Sequence, residues 1–243
     1  MKVYIQSNSH NIPLSINCYA AMSGFHQMEF EVVPFQQLTE VLLHMTQADL
    51  VVGGLRSVRQ RLKFLKIDCS ELNYPKSLRQ YLGRQIWYSQ INTINHHPET
   101  WPIFVKSVEG KRITGKVIRT PKDLIGLGSS YENPTVICSE VVDFVAEWRV
   151  YVRYGQIEGV RPYTGDWHYH YDPQVIEDCL QDYQDQPAGY SLDFGITKDG
   201  QTLLIEVNDG YSLAAYGLNE IRYAKLLAAR WAELTRTIDE CKF

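Results

Sequence analysis

Residues 190–209 read YSLDFGITKDGQTLLIEVND, and this stretch limits what the chain can fold into more than any other. Two runs of strand-forming residues flank a polar turn centred on Asp199 and Gly200, the pattern of an antiparallel β-hairpin. Pairing outward from that centre sets Asp193 directly opposite Glu206, with Asn208 two residues further along on the same face. Leu192, Phe194, Ile205 and Val207 fall on the other face, which suits packing beneath a helix. Carboxylates directly opposite one another repel, so this arrangement calls for a cation or an exposed edge. A solvent-facing hairpin whose acids serve solubility is the alternative. Against it, LLIEV is too apolar for a free edge, and the strand runs into Asn208-Asp209-Gly210-Tyr211, an irregular turn placed to meet a ligand. Oxygen donors alone, from Asp193, Glu206 and Asn208, suit Mg²⁺.

The remainder of the chain supplies a setting for this hairpin. Lys2–Gln6 alternates as a strand, Phe30–Pro34 is a second strand, and Leu38, Val41, Leu42 and Met45 recur at helical spacing over 36–45. A short apolar strand over 48–54 ends in Gly53-Gly54, so a small α/β unit is expected, with those glycines at the carboxyl end of a parallel strand. Tyr74-Pro75 opens a helical run through Tyr81 and Arg84, and a polar loop holds His96, His97 and Pro98. Strand-like runs follow: WPIFVKSV, GKVIR, TVICSEVVDF, EWRVYVRYG and QIEGVRPY, before the hairpin. A closing helix over 218–235 carries Ile221, Ala224, Leu227, Ala228, Trp231 and Leu234 on one face, ready to cover a sheet.

Composition excludes several functions. A net charge of -4 gives no general field for nucleic acid, and only Arg56, Arg59, Arg61, Lys63 and Lys66 could form a basic patch. The 5 cysteines are scattered and lack CxxC spacing, which argues against disulfides and thiolate zinc sites and for a reducing, cytoplasmic setting. No apolar run approaches the roughly 20 residues of a membrane span. His168 and His170 in DWHYHY share a strand face but have no third ligand, so a substrate loop with Tyr163 and Asp166 near the acceptor is preferred to a zinc site.

The hairpin, with Asp193 followed by Glu206-x-Asn208, resembles the metal-binding strands of the ATP-grasp family, and the family's other elements occur upstream in the same order from about Asn73 onward. The resemblance implies an α+β ATP-grasp fold, two subdomains gripping ATP over 76–243 with a small lobe over about 100–142 and a metal-binding lobe over 143–243. A small α/β pre-ATP-grasp unit would occupy 1–75. Lys106 in WPIFVKSV resembles the phosphate-contacting lysine, and EGKRITG the loop that closes over the triphosphate, with Gly110, Lys111 and Gly115. Glu140, Val141 and Val142 resemble the segment that receives adenine, and Glu147 the ribose-binding acid. Arg149 and Arg161 resemble the arginines that face the transferred phosphate, with Arg149 on the same strand face as Glu147. One of Lys76, Arg79 and Arg84 would add a phosphate contact.

The chain departs from the pattern at Ser107, where many members carry proline, and after Asn208, where DGYSLAAYGL replaces the turn of the peptide ligases. It looks most like small bacterial and phage members of the family. The implied activity is an ATP- and Mg²⁺-dependent carboxylate–amine ligase, forming an amide through an acyl phosphate with Lys106, Arg149 and Arg161 as catalytic groups. Mg²⁺ would enter as a pair of ions, with Mn²⁺ as substitute. The partners would be small-molecule or peptide acids and amines, not membranes or nucleic acid. The same site would also suit a phosphotransferase or an ATP-binding module without turnover.

Overall fold

The structure, a computed structural model, describes residues 1–69, 71–108, 115–127 and 132–243. Its amino-terminal unit is built from β1 (Val3–Gln6), α1 (Ile16–Gln27), β2 (Val32–Phe35), the single turn α2 (Leu38–Val41), β3 (Leu50–Val52) and α3 (Leu55–Phe64). The sheet is parallel, in the order β2-β1-β3. Val3, Tyr4 and Ile5 and all of Leu50–Val52 are buried, as strands covered on both faces must be. The expected helix over 36–45 is only α2 and a following 3₁₀ turn, whereas α1 had no clear sequence signal. Its Ser15 caps the first turn by accepting from the Cys18 N–H, and its buried residues mix the small Ala20, Ala21 and Gly24 with Cys18 and Phe25.

Those small residues serve a close helix crossing. The carboxyl-terminal helix α6 (Glu220–Thr235) comes so near that a Cβ on Gly24 would lie 2.1 Å from the carbonyl oxygen of Glu220. Gly24→Ala is expected to force the two helices apart and cost roughly 1–3 kcal/mol. Urea unfolding measures this, and an unchanged midpoint would mean that the crossing is looser than the structure has it.

Two antiparallel sheets follow. The first, in the order β4-β7-β5-β6, contains β4 (Ile86–Gln90), the short helix α4 (Ile91–His96), β5 (Ile103–Ser107), β6 (Lys116–Ile118) and β7 (Thr135–Ser139). Ile91, Ile94, Val105, Ile118 and Val136 form its core. The run expected to be helical through Arg84 is a 3₁₀ segment, Lys76–Tyr81, and IWYSQ beyond it is strand β4. TVICSEVVDF is not one strand: β7 ends at Ser139, and residues 140–143 cross to the second sheet.

That second sheet, β11-β10-β8-β9, comprises β8 (Phe144–Arg153), β9 (Gln156–Gly165), β10 (Gly189–Thr197) and β11 (Thr202–Asp209), with α5 (Pro173–Asp182) between β9 and β10. Asp172 caps α5 and Pro173 takes its first position. Ile176 and Cys179 of α5 pack with Leu192, Phe194, Leu204 and Val207. The closing helix α6 (Glu220–Thr235) joins Tyr151 of β8 to the amino-terminal core through Tyr223, Ala224 and Trp231, so more than one of its faces is buried. Among the described residues no helix is long and apolar enough to cross a membrane.

The hairpin register carries one correction. The turn spans residues 198–200, with Gly200 at φ 86° and the Thr197 N–H donating to the Gln201 carbonyl. Pairing about Asp199 alone sets Ile196 opposite Thr202 and Phe194 opposite Leu204, and continued unbroken it would set Asp193 opposite Ile205. A β-bulge between the Phe194–Leu204 and Asp193–Glu206 pairs absorbs Ile205 and restores Asp193 to Glu206. Leu204, not Ile205, therefore belongs to the core, and Ile205 is only half-buried.

Candidate functional site

The polar face of β10 and β11 meets the end of β5, bringing together residues that the sequence separates widely. Asp193 is 2 % exposed and accepts two hydrogen bonds from Arg149 of β8, from Nε at 2.7 Å and from an Nη at 2.6 Å. Strand pairing makes this possible, since Arg149 and Glu206 are the cross-strand neighbours of Asp193 on its two sides. Asn208 donates its amide N–H to the same carboxylate at 3.0 Å. From the other sheet, the Lys106 ammonium donates to Glu206 at 2.7 Å and to Asn73 Oδ1 at 3.1 Å, and lies 4.5 Å from the centre of the Tyr74 ring.

Each carboxylate thus has its own cation, which answers the repulsion expected from the facing acids. The two acids do not titrate alike. Burial pushes the Asp193 carboxyl up to about 6, against the pull of Arg149 and with help from the Glu206 and Glu147 charges. Burial also acts to raise Glu206, but the Lys106 ammonium overcomes it and holds that carboxyl below its ordinary value. For Lys106, desolvation is outweighed by Glu206 and Tyr74, and the ammonium is held more firmly protonated than usual.

An open cavity of about 410 Å³ has Lys106, Arg149, Asp193, Glu206 and Asn208 in its wall, together with Gly115. Gly115 packs so closely on Phe104 that a Cβ would lie 2.6 Å from the ring. Gly110 and Lys111 lie outside the described residues. The Tyr163 and Tyr216 rings, stacked 5.0 Å apart, line another side of the cavity and flank the Arg149 guanidinium at 5.6 and 4.9 Å.

Other sequence-selected residues are not among those in the cavity wall. Glu147 shares the face of Arg149 and accepts from the Tyr163 hydroxyl at 2.6 Å. Glu140 accepts from the Gln85 N–H at 2.9 Å, and with Val141 and Val142 it forms the crossing between the sheets. Arg161 pairs with Arg149 across β8 and β9, but its guanidinium donates to the Gly217 carbonyl at 3.1 Å. Of the three further candidate cations, Arg84 donates to the carbonyls of Leu204 and Ile205.

The basic stretch does not make a continuous patch. Arg61 is wholly buried and donates to the Thr46 carbonyl, while Arg59 turns to the cavity, donating to Tyr211 and pairing with Glu71. The proposed acceptor loop also divides. Tyr163 reaches the cavity, but His168 pairs with Asp166 and stacks on Trp167, and His170 rests against Trp148. Among the described residues no three His, Cys, Asp or Glu side chains gather as a metal site; beside Asp193 and Glu206 the cavity wall carries the Asn208 amide.

Sequence reading missed Asn73, Tyr74 and Tyr216. The first two lie on a loop joined to the hairpin by an isolated antiparallel bridge between Asn73 and Val207, which no local pattern announces. Tyr216 carried a signal of another kind, an aromatic residue beside Gly217 in a turn; its φ of 42° shows that the turn is tightly held. A second cavity, of about 450 Å³, opens at the carboxyl ends of β1 and β3 and is lined by Gln6, Gly53 and Gly54. Both cavities share Leu55 and the segment Tyr211 to Ala214 in their walls.

Two sheets thus meet at a cavity whose wall carries paired acids and cations. The chain belongs to the ATP-grasp superfamily: the family model described as ATP-grasp domain, R2K clade family 2, matches residues 81–226, more than half of its length. Solved structures agree in fold. D-alanine–D-alanine ligase from Bacillus anthracis, complexed with ATP, superposes with a TM-score of 0.57 at 14% identity, covering 97% of this chain and 98% of that one. N5-carboxyaminoimidazole synthetase from Staphylococcus aureus gives 0.60 at 13%, covering 98% and 77%. The macrocyclase MdnC from Microcystis aeruginosa MRC, bound with precursor peptide MdnA, gives 0.52 at 14%, covering 93% and 99%. Among proteins of curated function, none matches the sequence.

Proposed function

We propose that the protein is an ATP- and Mg²⁺-dependent ligase that joins a carboxylate to an amine. The observation that carries this reading is the pairing of Asp193 and Glu206 on one cavity wall, each neutralised by its own cation and flanked by Asn208. These oxygen donors fit Mg²⁺, held by Asp193, Glu206 and Asn208; when bound it would neutralise phosphate oxygens and so favour attack at the γ-phosphorus. Membership of the ATP-grasp superfamily supports the nucleotide. The names of two neighbours, a D-alanine–D-alanine ligase and a peptide-bound macrocyclase, support amide formation.

In the proposed reaction a carboxylate oxygen of the acid attacks the γ-phosphorus, the bond to ADP breaks, and an acyl phosphate forms. The amine nitrogen then attacks the acyl carbon, inorganic phosphate leaves, and the amine's surplus proton passes to solvent. Lys106 and Arg149 would stabilise the transferred charge, a task of position and electrostatics. Arg161 would act with them only after leaving the Gly217 carbonyl. Glu147 would hold the ribose and residues 140–142 the adenine, while Lys111 and Gly115 belong to the segment that would close over the phosphates. Among the described residues the second cavity has no charged side chain in its wall, so it suits the neutral body of the amine substrate, with the reacting nitrogen directed past Tyr211 to Ala214. The cytoplasm, where ATP is abundant, is the proposed setting.

ADP and phosphate release against a panel of amino acids and peptides, with Glu206→Ala as control, tests the proposal. Stimulation by an acid plus an amine, absent in the variant, supports it; no stimulation, or equal release by both proteins, counts against it. Product analysis separates ligation from phosphate transfer to a hydroxyl, since only ligation frees inorganic phosphate.

The raised Asp193 carboxyl adds a pH prediction. Metal binding needs both acids ionised, and Asp193 holds its proton up to about pH 6 while Glu206 has lost its own. Below that point Mg²⁺-dependent nucleotide binding should weaken roughly tenfold per pH unit. Titrating Mg²⁺ at fixed ATP near neutrality and one to two units below pKa decides it, and a pH-independent affinity would show that Asp193 is not a ligand.

A further inference from the structure

We propose that Arg84 is a positioning residue for the metal-facing acids, acting by pinning the bulge at Ile205. The parity of β11 is the first step. Leu204 and Val207 are both buried in the same core although they stand three residues apart, a spacing that a regular strand cannot place on one face. The extra residue between them reverses the faces of everything beyond it. With the bulge, Glu206 and Asn208 look into the cavity beside Asp193; without it, Ile205 and Val207 would do so, and Glu206 would turn toward the apolar core.

A bulge leaves main-chain groups unpaired on the strand that carries it, and β11 is the last strand of its sheet. Arg84 supplies partners at that point. One Nη donates to the Leu204 carbonyl at 2.9 Å and to the Leu82 carbonyl at 2.8 Å, and the other donates to the Ile205 carbonyl at 2.8 Å. The guanidinium therefore bridges the two carbonyls flanking the bulge, a geometry that needs a planar fork of donors. The backbone beside it is fitted to the same strand: Gly83 has φ 59°, and a Cβ there would lie 2.6 Å from the Leu203 side chain. On its far side Arg84 stands 5.9 Å from the Phe144 ring, at the start of β8, and the next residue, Gln85, is held by Glu140. One side chain thus ties the crossing between the two sheets to the strand that aims Glu206.

This inference uses the proposed metal role of Glu206 for its consequence, but the bulge itself is testable without nucleotide. The first measurement is the cross-strand nuclear Overhauser pattern of wild type and Arg84→Met. Wild type should connect Asp193 with Glu206; the variant should lose that contact and gain one between Asp193 and Ile205, or lose protection of the β11 amides. The second is Mg²⁺ affinity in the presence of ATP, expected to fall by about tenfold or more, the usual range for removing a partner behind a metal ligand, while metal-free ATP binding changes far less. Arg84→Lys, which keeps the charge but not the fork, should show the same losses to a smaller extent, and it takes the place of Arg84→Met should that variant not fold. Wild-type cross-strand contacts in these variants would overturn the pinning role. A wild-type protein that shows the bulge but binds no Mg²⁺ with ATP would instead count against the functional reading, leaving the pin to be judged by the contacts alone.

Discussion

Replacing Asp193 by alanine is expected to lower the unfolding free energy by about 3–5 kcal/mol and to reduce ATP turnover by roughly a hundred- to a thousandfold. The two losses have separate causes. Stability falls because Arg149, only 7 % exposed, would keep its charge and lose both hydrogen bonds to its carboxylate. The flanking Tyr163 and Tyr216 rings still face the guanidinium and soften the loss. Against a total stability of about 5–15 kcal/mol for a domain, this is a large share. Turnover falls because one of the proposed ligands is gone. A double substitution, Asp193→Ala with Arg149→Met, removes the stranded charge and should recover much of the stability while turnover stays at or below that of Asp193→Ala. Urea unfolding and ADP release measure the two quantities independently. A single variant as stable as wild type would contradict the buried ion pair, and one with wild-type turnover would remove Asp193 from the site.

The facing acids were legible because a hairpin is a local object: its turn, alternation and paired partners lie within about twenty residues. Even so, the correct pairing of Asp193 with Glu206 came through two compensating features. The turn has three residues where a two-residue centre was expected, and the bulge at Ile205 restores the offset. A bulge depends on what lies beside the strand, here Arg84, and a sequence pattern carries no sign of that neighbour. The partners of Lys106 were invisible for the same reason, since Asn73 lies 33 residues away and meets it only after two sheets have assembled. Helix α1 escaped notice because its close approach to α6 selects glycine at Gly24, beside the small Ala20 and Ala21, while the apolar Ile16 and Tyr19 stand exposed, so no single apolar stripe marks the helix. What the sequence showed best were residues whose chemistry is concentrated: acids facing acids, and cations at strand positions that point the same way.

The ion pair between Lys106 and Glu206 leads to a prediction whose sign differs for two ligands. The Lys106 ammonium donates to the Glu206 carboxylate that the proposed metal would need, at 2.7 Å, and is only 13% exposed as a side chain. Arg149 stands in the same relation to Asp193. Binding MgATP would then be an exchange of partners, the phosphates taking the cations and Mg²⁺ the acids, so that no buried charge is left alone at either stage. Lys106→Met interrupts this exchange on one side. ATP affinity should fall roughly ten- to a hundredfold, the worth of a charge-assisted hydrogen bond. Mg²⁺ added alone, near pH 8 where Glu206 remains ionised, should bind a few-fold more tightly than to wild type because its competitor has been removed. Isothermal titration with each ligand measures both. A lysine that merely supports the fold would weaken both together, and that outcome would end the exchange argument. Arg in place of Lys106 should not restore function, because a planar fork cannot fill the position of a compact ammonium held between Glu206, Asn73 and the Tyr74 ring.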